Sequence, residues 1–195
     1  MKMISTIEVE SAGGTREVAI AARLLMKRII FLNDNIDSEM ANDFIMKLLY
    51  LEASDEPVTI YLNSPGGEVT SGLMIYDAIQ GSKLRINIIC TGMAASMAAI
   101  ILAGGQKGRR FILPHSKVMI HEPLIANGIG GSATSVKNIS DSILETKSVL
   151  NKILSKHTGK TVEEINHATS YDNLMSATEA IKFGICDSIK RSFIV

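Results

Sequence analysis

PVTIYLNSPGGEVTSGLMIYDAIQGSKLRINIICTGMAASMAAIILA, residues 57–103, decides the fold. It opens on Pro57-Val58-Thr59-Ile60-Tyr61-Leu62, a β-branched run that reads as a strand. Asn63-Ser64-Pro65-Gly66-Gly67 is a turn, and Leu73, Ile75, Tyr76 and Ile79 mark the helix after it. Leu84 to Cys90 is apolar along most of its length, as strands covered on both faces are. It meets Thr91-Gly92 and then a small-residue segment, Ala94-Ala95-Ser96-Met97-Ala98-Ala99, that reads as a second helix. Strand, helix, strand, helix is the rhythm of a largely parallel sheet, so the fold class is α/β.

Working outward, Arg28 to Leu32 reads as a short strand. Asp37 or Ser38 caps a helix whose apolar positions Ala41, Phe44, Ile45, Leu48 and Leu49 keep the 3.6-residue period. The N-terminal polar segment with Gly13-Gly14 reads as a mobile arm. Downstream, a Gly-Gly-Gln-Lys-Gly turn leads to two short strands, Arg110 to Leu113 and Lys117 to Ile120, the second ending at His121. A Gly-rich stretch, Asn127 to Gly131, precedes a long helix marked by Val136, Ile139, Ile143, Leu150, Ile153 and Leu154. Two shorter helices open on capping boxes, Thr161 with Glu164 and Ser176 with Glu179, and Gly184 suits the end of the second.

The 195 residues make one domain, long enough for an independent core. Hydrophobic residues are 46% and aromatics only 5%, with no Trp, so that core must be aliphatic. Twenty basic and twenty acidic residues cancel, leaving no electrostatic footprint for nucleic acid or an anionic membrane. Cys90 and Cys186 lie in apolar runs without CxxC spacing and read as buried thiols of a reducing compartment. There is no apolar leader at the N-terminus, and the longest apolar stretch, Met97 to Ala103, is too short to span a bilayer. A cytoplasmic protein without metal or cofactor is expected; no GxGxxG or GxxxxGK[ST] motif suggests a nucleotide site.

Three side chains have the chemistry of a nucleophilic site. Ser96 follows a buried strand and a glycine, where unpaired amides of a first helical turn can face developing negative charge. Taken alone it reads more readily as a helix cap or small packing residue among alanines. His121 ends a strand, a rigid mounting for a general base, and also for a structural histidine. Asp172, in Ser170-Tyr171-Asp172-Asn173, can orient an imidazole or simply cap a turn. The remaining histidines, His115, His157 and His167, read as surface groups. Gly66 and Gly67 permit close backbone approach, and an amide there can join that of Met97 in an oxyanion hole.

Taken in order, NSPGGEVTSGLMIYDAI, CTGMAASMAAIILAGG, RRFILPHSKVMIHEPL, LNKILSKHTGK and YDNLMSATEAIKFGICD closely resemble the Clp protease proteolytic subunit, from about Arg28 to Ile189. The resemblance implies a serine peptidase with Ser96 as nucleophile, His121 as general base, Asp172 as orienting carboxylate and the Gly67 and Met97 amides as oxyanion hole. It implies a crotonase-like βαβ spiral with a mobile axial arm over 1–18, a head over 19–120 and 158–195, and a handle over 121–157. Within the handle, a Leu124–Gly131 strand would pair with substrate backbone, engaging Gly66, Leu124 and Ile125. Two heptameric rings would stack as a tetradecamer, and an AAA+ unfoldase would dock near Tyr61 and feed in unfolded polypeptide.

The chain departs from the family pattern at several points. Ala98 stands where the family usually has Gly, and the stretch after His121 is slightly longer. Ser132 and Ser135 replace polar and acidic handle residues, and Ser170-Tyr171 replaces an Asp-Arg pair. Gly81 replaces a Phe of the docking pocket. This pattern suits a divergent paralogue that assembles with a second proteolytic-subunit isoform. The alternatives are a poorly active ring subunit and a crotonase-type acyl-CoA enzyme sharing the fold; the Ser, His and Asp set speaks against the latter.

Overall fold

A computed structural model describes residues 5–11, 14–125 and 128–193. The N-terminal segment carries a ribbon, β1 (Thr6–Ser11) paired antiparallel with β2 (Gly14–Ala19). Alternation of β-branched and charged residues in TIEVES and TREVA supports that pairing. Helix α1 (Ile20–Met26) then leads to the sheet.

Strands β3 (Ile29–Asn33), β4 (Val58–Ser64), β5 (Ile86–Ala95), β6 (Arg110–Ile112) and β9 (Ser188–Ile189) lie side by side and are all parallel. Helices α2 (Ser38–Leu51), α3 (Val69–Gly81) and α4 (Met97–Ala103) make the crossovers. Asp37 caps α2 through the Met40 amide, as its sequence predicts. Helix packing buries Ile30, Leu32, Ile60, Leu62, Ile86, Ile88 and Ile112 with Ala41, Phe44, Ile75 and Ile101. The core is aliphatic, with Phe44 as its one fully buried large aromatic.

The position of the site is set by β5. Its first half pairs with β6, while its last residues pair with β7 (Lys117–Ile120). Antiparallel to β7 lies β8 (Asn173–Ser176), a strand that the sequence reading passed over because four residues carry little periodicity. Helix α5 (Ala133–Thr158) buries only Leu150, Asn151 and Leu154, near its C-terminal end; residues 133–149 have no buried side chain. Ser132 accepts from the Ser135 amide, so the first of these departures from the family pattern serves as the cap of α5. Helices α6 (Val162–Thr169) and α7 (Ala177–Phe183) both start on complete capping boxes, and Gly184 ends α7 in the left-handed region.

One buried cation joins the helix ends. Arg110, its side chain 4% exposed, pairs with Asp187 at 2.6 Å. Its Nη1 also donates to the carbonyls of Ala103, His157 and Gly184, at the C-terminal ends of α4, α5 and α7. His157 is therefore not the surface group its polar neighbours suggest. It is half-buried, 2.8 Å from the Tyr76 hydroxyl, and burial lowers its pKa, with Lys156 and Arg110 adding to the effect. His115 and His167 are exposed as expected.

Both cysteines are free and buried. Burial pushes the Cys90 thiol up to about 11 and that of Cys186 higher still, so neither is a thiolate at neutral pH. Among the described residues no helix is long and apolar enough to cross a membrane.

Candidate active site

Three strand ends converge. Parallel register sets Ala95 opposite Met119, which puts Ser96 and His121 just beyond adjacent carboxyl ends of β5 and β7. Antiparallel register sets Ile120 opposite Asn173, so His121 and Asp172 come next in the same ladder. The sheet therefore gathers Ser96, His121 and Asp172 although 76 residues of sequence numbering separate the first from the last. The Ser96 hydroxyl lies 2.9 Å from His121 Nε2, and His121 Nδ1 lies 3.3 Å from Asp172 Oδ1. A ring proton on Nδ1, facing the carboxylate, leaves Nε2 as the acceptor for the serine O–H. The imidazole is mostly buried at 16% exposure, whereas the Asp172 side chain is 78% exposed.

Ser96 is mounted differently from its sequence reading. Alanines 94 and 95 favour a helix, yet β5 continues through both, and the helix begins only at Met97. The change of direction falls on Ser96 itself, at φ 53° and ψ −122°. Pairing with β7 overrides the helix propensity of the alanines: both are buried, and the Ser96 amide donates to the Met119 carbonyl at 2.9 Å. A residue in this turn presents its side chain above the sheet rather than along a helix, which is how a strand-to-helix elbow exposes a nucleophile.

The glycine pair explains what packs against the elbow. A Cβ on Gly66 would stand 2.7 Å from both the Ala95 carbonyl oxygen and the Ser96 Cβ, and 3.1 Å from the Met97 nitrogen. On Gly67, at φ 155°, it would lie 2.1 Å from the Ile36 carbonyl oxygen. Gly66 accepts from the Ile36 amide and Glu68 donates to the Ile36 carbonyl, which fixes the turn. The Met97 amide belongs to the first turn of α4, where amides lack intrahelical partners.

Beside Ser96 is an apolar cavity of about 20 Å³ lined by Val69, Met97, Ile100, Leu150 and Leu154 among others. A wider groove of about 400 Å³ continues along α5 past Pro123, Leu124 and Ile125. Of the segment expected as a Leu124–Gly131 strand, residues 124, 125 and 128–131 lie in no strand, and residues 126 and 127 lie outside the described set. Lone strands gain no ladder bonds, and among the described residues no strand pairs with the segment. One contact escaped the sequence reading. Lys147 on α5 holds Glu122, next to His121, at 2.5 Å, and the Glu122 amide donates to the Thr169 carbonyl.

Tyr61 lies between Ile60 and Leu62 of the helix-packed core and does not itself belong to it. Its ring stacks between Phe31 and Phe193, and its hydroxyl donates to the Phe193 carbonyl at 2.7 Å. Among the described residues no cluster of His, Cys, Asp or Glu is placed to hold a metal ion. A family model described as Clp protease matches residues 12–192.

Proposed function

The chain belongs to the Clp protease family and is a peptidase of that type; on that premise we propose that it is a serine endopeptidase subunit acting on unfolded polypeptide. The observation that carries this reading is the 2.9 Å approach of the Ser96 hydroxyl to His121 Nε2. Ser96 Oγ attacks the scissile carbonyl carbon while its proton passes to Nε2. The oxyanion that forms is held by the Gly67 and Met97 amides. His121 then returns the proton to the leaving amine, and the C–N bond breaks to give an acyl-enzyme ester. Water, deprotonated by the same nitrogen, hydrolyses that ester and restores the serine. Asp172 accepts from Nδ1–H throughout, holding the tautomer and stabilising the imidazolium.

The small apolar cavity next to Ser96 suits a short apolar side chain before the scissile bond. Leu124 and Ile125 line the wider groove, where an extended substrate would lie and supply a strand partner, with Gly66 as a further substrate contact beside the elbow. In the same reading the chain adopts the crotonase-like arrangement, with α5 as the handle of stacked heptameric rings. An AAA+ unfoldase docks on the Tyr61 face. The Ser132, Ser135 and Ser170-Tyr171 departures favour assembly with a second isoform.

A fluorophosphonate probe tests the chemistry. Labelling should map to Ser96 by mass spectrometry, and Ser96→Ala should remove it together with cleavage of short fluorogenic peptides. Labelling at another residue, or cleavage that survives the substitution, would sink the assignment.

A further inference from the structure

His121 stands where two ladders stop. Met119 and Ile120 are the last residues of β7 to pair, with Ala95 and Asn173, and the described residues between His121 and Ser132 lie in no helix or strand. Glu122 carries the next bonds. Its amide donates to the Thr169 carbonyl at 2.8 Å, and its carboxylate takes the Lys147 ammonium at 2.5 Å. The first bond ties the histidine's segment to the chain leading to Asp172, because Thr169 is fully buried and its hydroxyl donates to the Ile165 carbonyl. The second ties it to α5.

Lys147 is a firm post for that bond. Residues three and four apart share a helix face, and the next two on the face of Lys147 are Leu150 and Asn151. Both are buried, and Asn151 also donates to the Asn166 side chain of α6 at 2.5 Å. The ammonium therefore rises from the part of α5 that is fastened to the body of the molecule. Glu122 is still 46% exposed, and an ion pair so open to water adds little to global stability. Its effect is local, on the backbone that carries the imidazole.

We propose that Glu122 is a positioning residue for His121 and that Lys147 is the post through which it acts. The pair fixes the chain just past the two ladders, so the ring keeps Nε2 at Ser96 and Nδ1 at Asp172 together. When the link to α5 is lost, the imidazole spends less time in the one pose that meets both partners, and proton transfer slows. Peptide binding does not need that pose, so the loss falls on kcat. A part played only in shaping the groove at Leu124 and Ile125 would move KM instead. This role rests on the reading of Ser96, His121 and Asp172 as the catalytic set.

Lys147→Met keeps the reach of the side chain and removes its charge. In full-length protein of native assembly size it should lower kcat for a fluorogenic peptide about tenfold and leave KM within about twofold. Fluorophosphonate labelling of Ser96, which needs no groove, should slow by the same factor. Lys147→Glu should be slower still. Joining it to Glu122→Lys, which exchanges the two charges, should bring kcat back to about half the native value. Melting temperatures should match that of the native chain throughout. An unchanged kcat in Lys147→Met, a change confined to KM, or an exchanged pair no faster than Lys147→Glu would each overturn the positioning role while the native chain still labels at Ser96. Absence of that label in the native chain would instead overturn the catalytic set, and this role with it.

Discussion

Ser96 occupies a backbone conformation that L-residues rarely adopt, at a cost of roughly 1–3 kcal/mol, and it is held there by β5 pairing on one side and α4 on the other. Gly66 completes the mounting by leaving room that any side chain would fill. Gly66→Ala should therefore push the turn away from the elbow and lower kcat/KM by about 10²–10³, the loss expected when one oxyanion donor is misplaced. Gly81→Ala is the matched control: a Cβ there meets nothing within 4 Å, and both activity and fold should survive. Asp172→Asn should reduce kcat/KM by less than the ~10⁴-fold seen where such a carboxylate is buried, because 78% of this side chain faces solvent. Stopped-time assays with one fluorogenic peptide measure all three. None of the three candidate catalytic residues stood out alone in the sequence; only the ordered set of motifs singled them out. The reason is physical: their meeting depends on two strand registers, and register is a long-range property that a local window does not contain.

At the scale of elements, legibility followed local chemistry. The Asp37 cap and the two capping boxes bond within three residues, so their helices were evident from sequence. By contrast, β8 and β9 exist only because β7 and β6 offer them edges, and the helix start near Ala94 was misplaced because β5 gained a partner there. His157 was misjudged for the same reason, since Tyr76 reaches it from 81 positions away. Its lowered pKa fixes a pH response. The unfolded chain takes up the proton near pH 6.5 while the folded chain resists, so stability is full above that value and falls as pH drops below it. Thermal melts from pH 7.5 to 5 should show this decline, and His157→Phe should flatten it. Asp187 acts lower down. Burial raises its pKa, but the hydrogen bonds and charge of Arg110 outweigh that and hold it below the usual carboxylate range. Its contribution is present above about pH 4 and lost as pH falls further. Arg110→Met, which strands a half-sheltered carboxylate and three carbonyls, should cost about 3–5 kcal/mol in denaturant titrations.

At the scale of the whole molecule, apolar surface remains unspent. Helix α2 buries Ala41, Phe44, Leu48 and Leu51, and shows Met46, Leu49 and Tyr50 on the opposite stripe, each more than 60% exposed. Side chains three and four apart form one continuous strip, of the kind that neighbouring subunits cover. Leu49→Glu should shift the assembly toward smaller species, with the dissociation midpoint in light-scattering dilution series moving up by about tenfold or more. An unchanged midpoint would place the subunit contact elsewhere. The Arg110 junction has its own molecular consequence. Because a single guanidinium holds the last carbonyls of three helices, those ends are not free to fray independently. Backbone amides in the final turns of α4, α5 and α7 should exchange with deuterium in step, as one opening event whose rate rises at all three termini when the cation is removed.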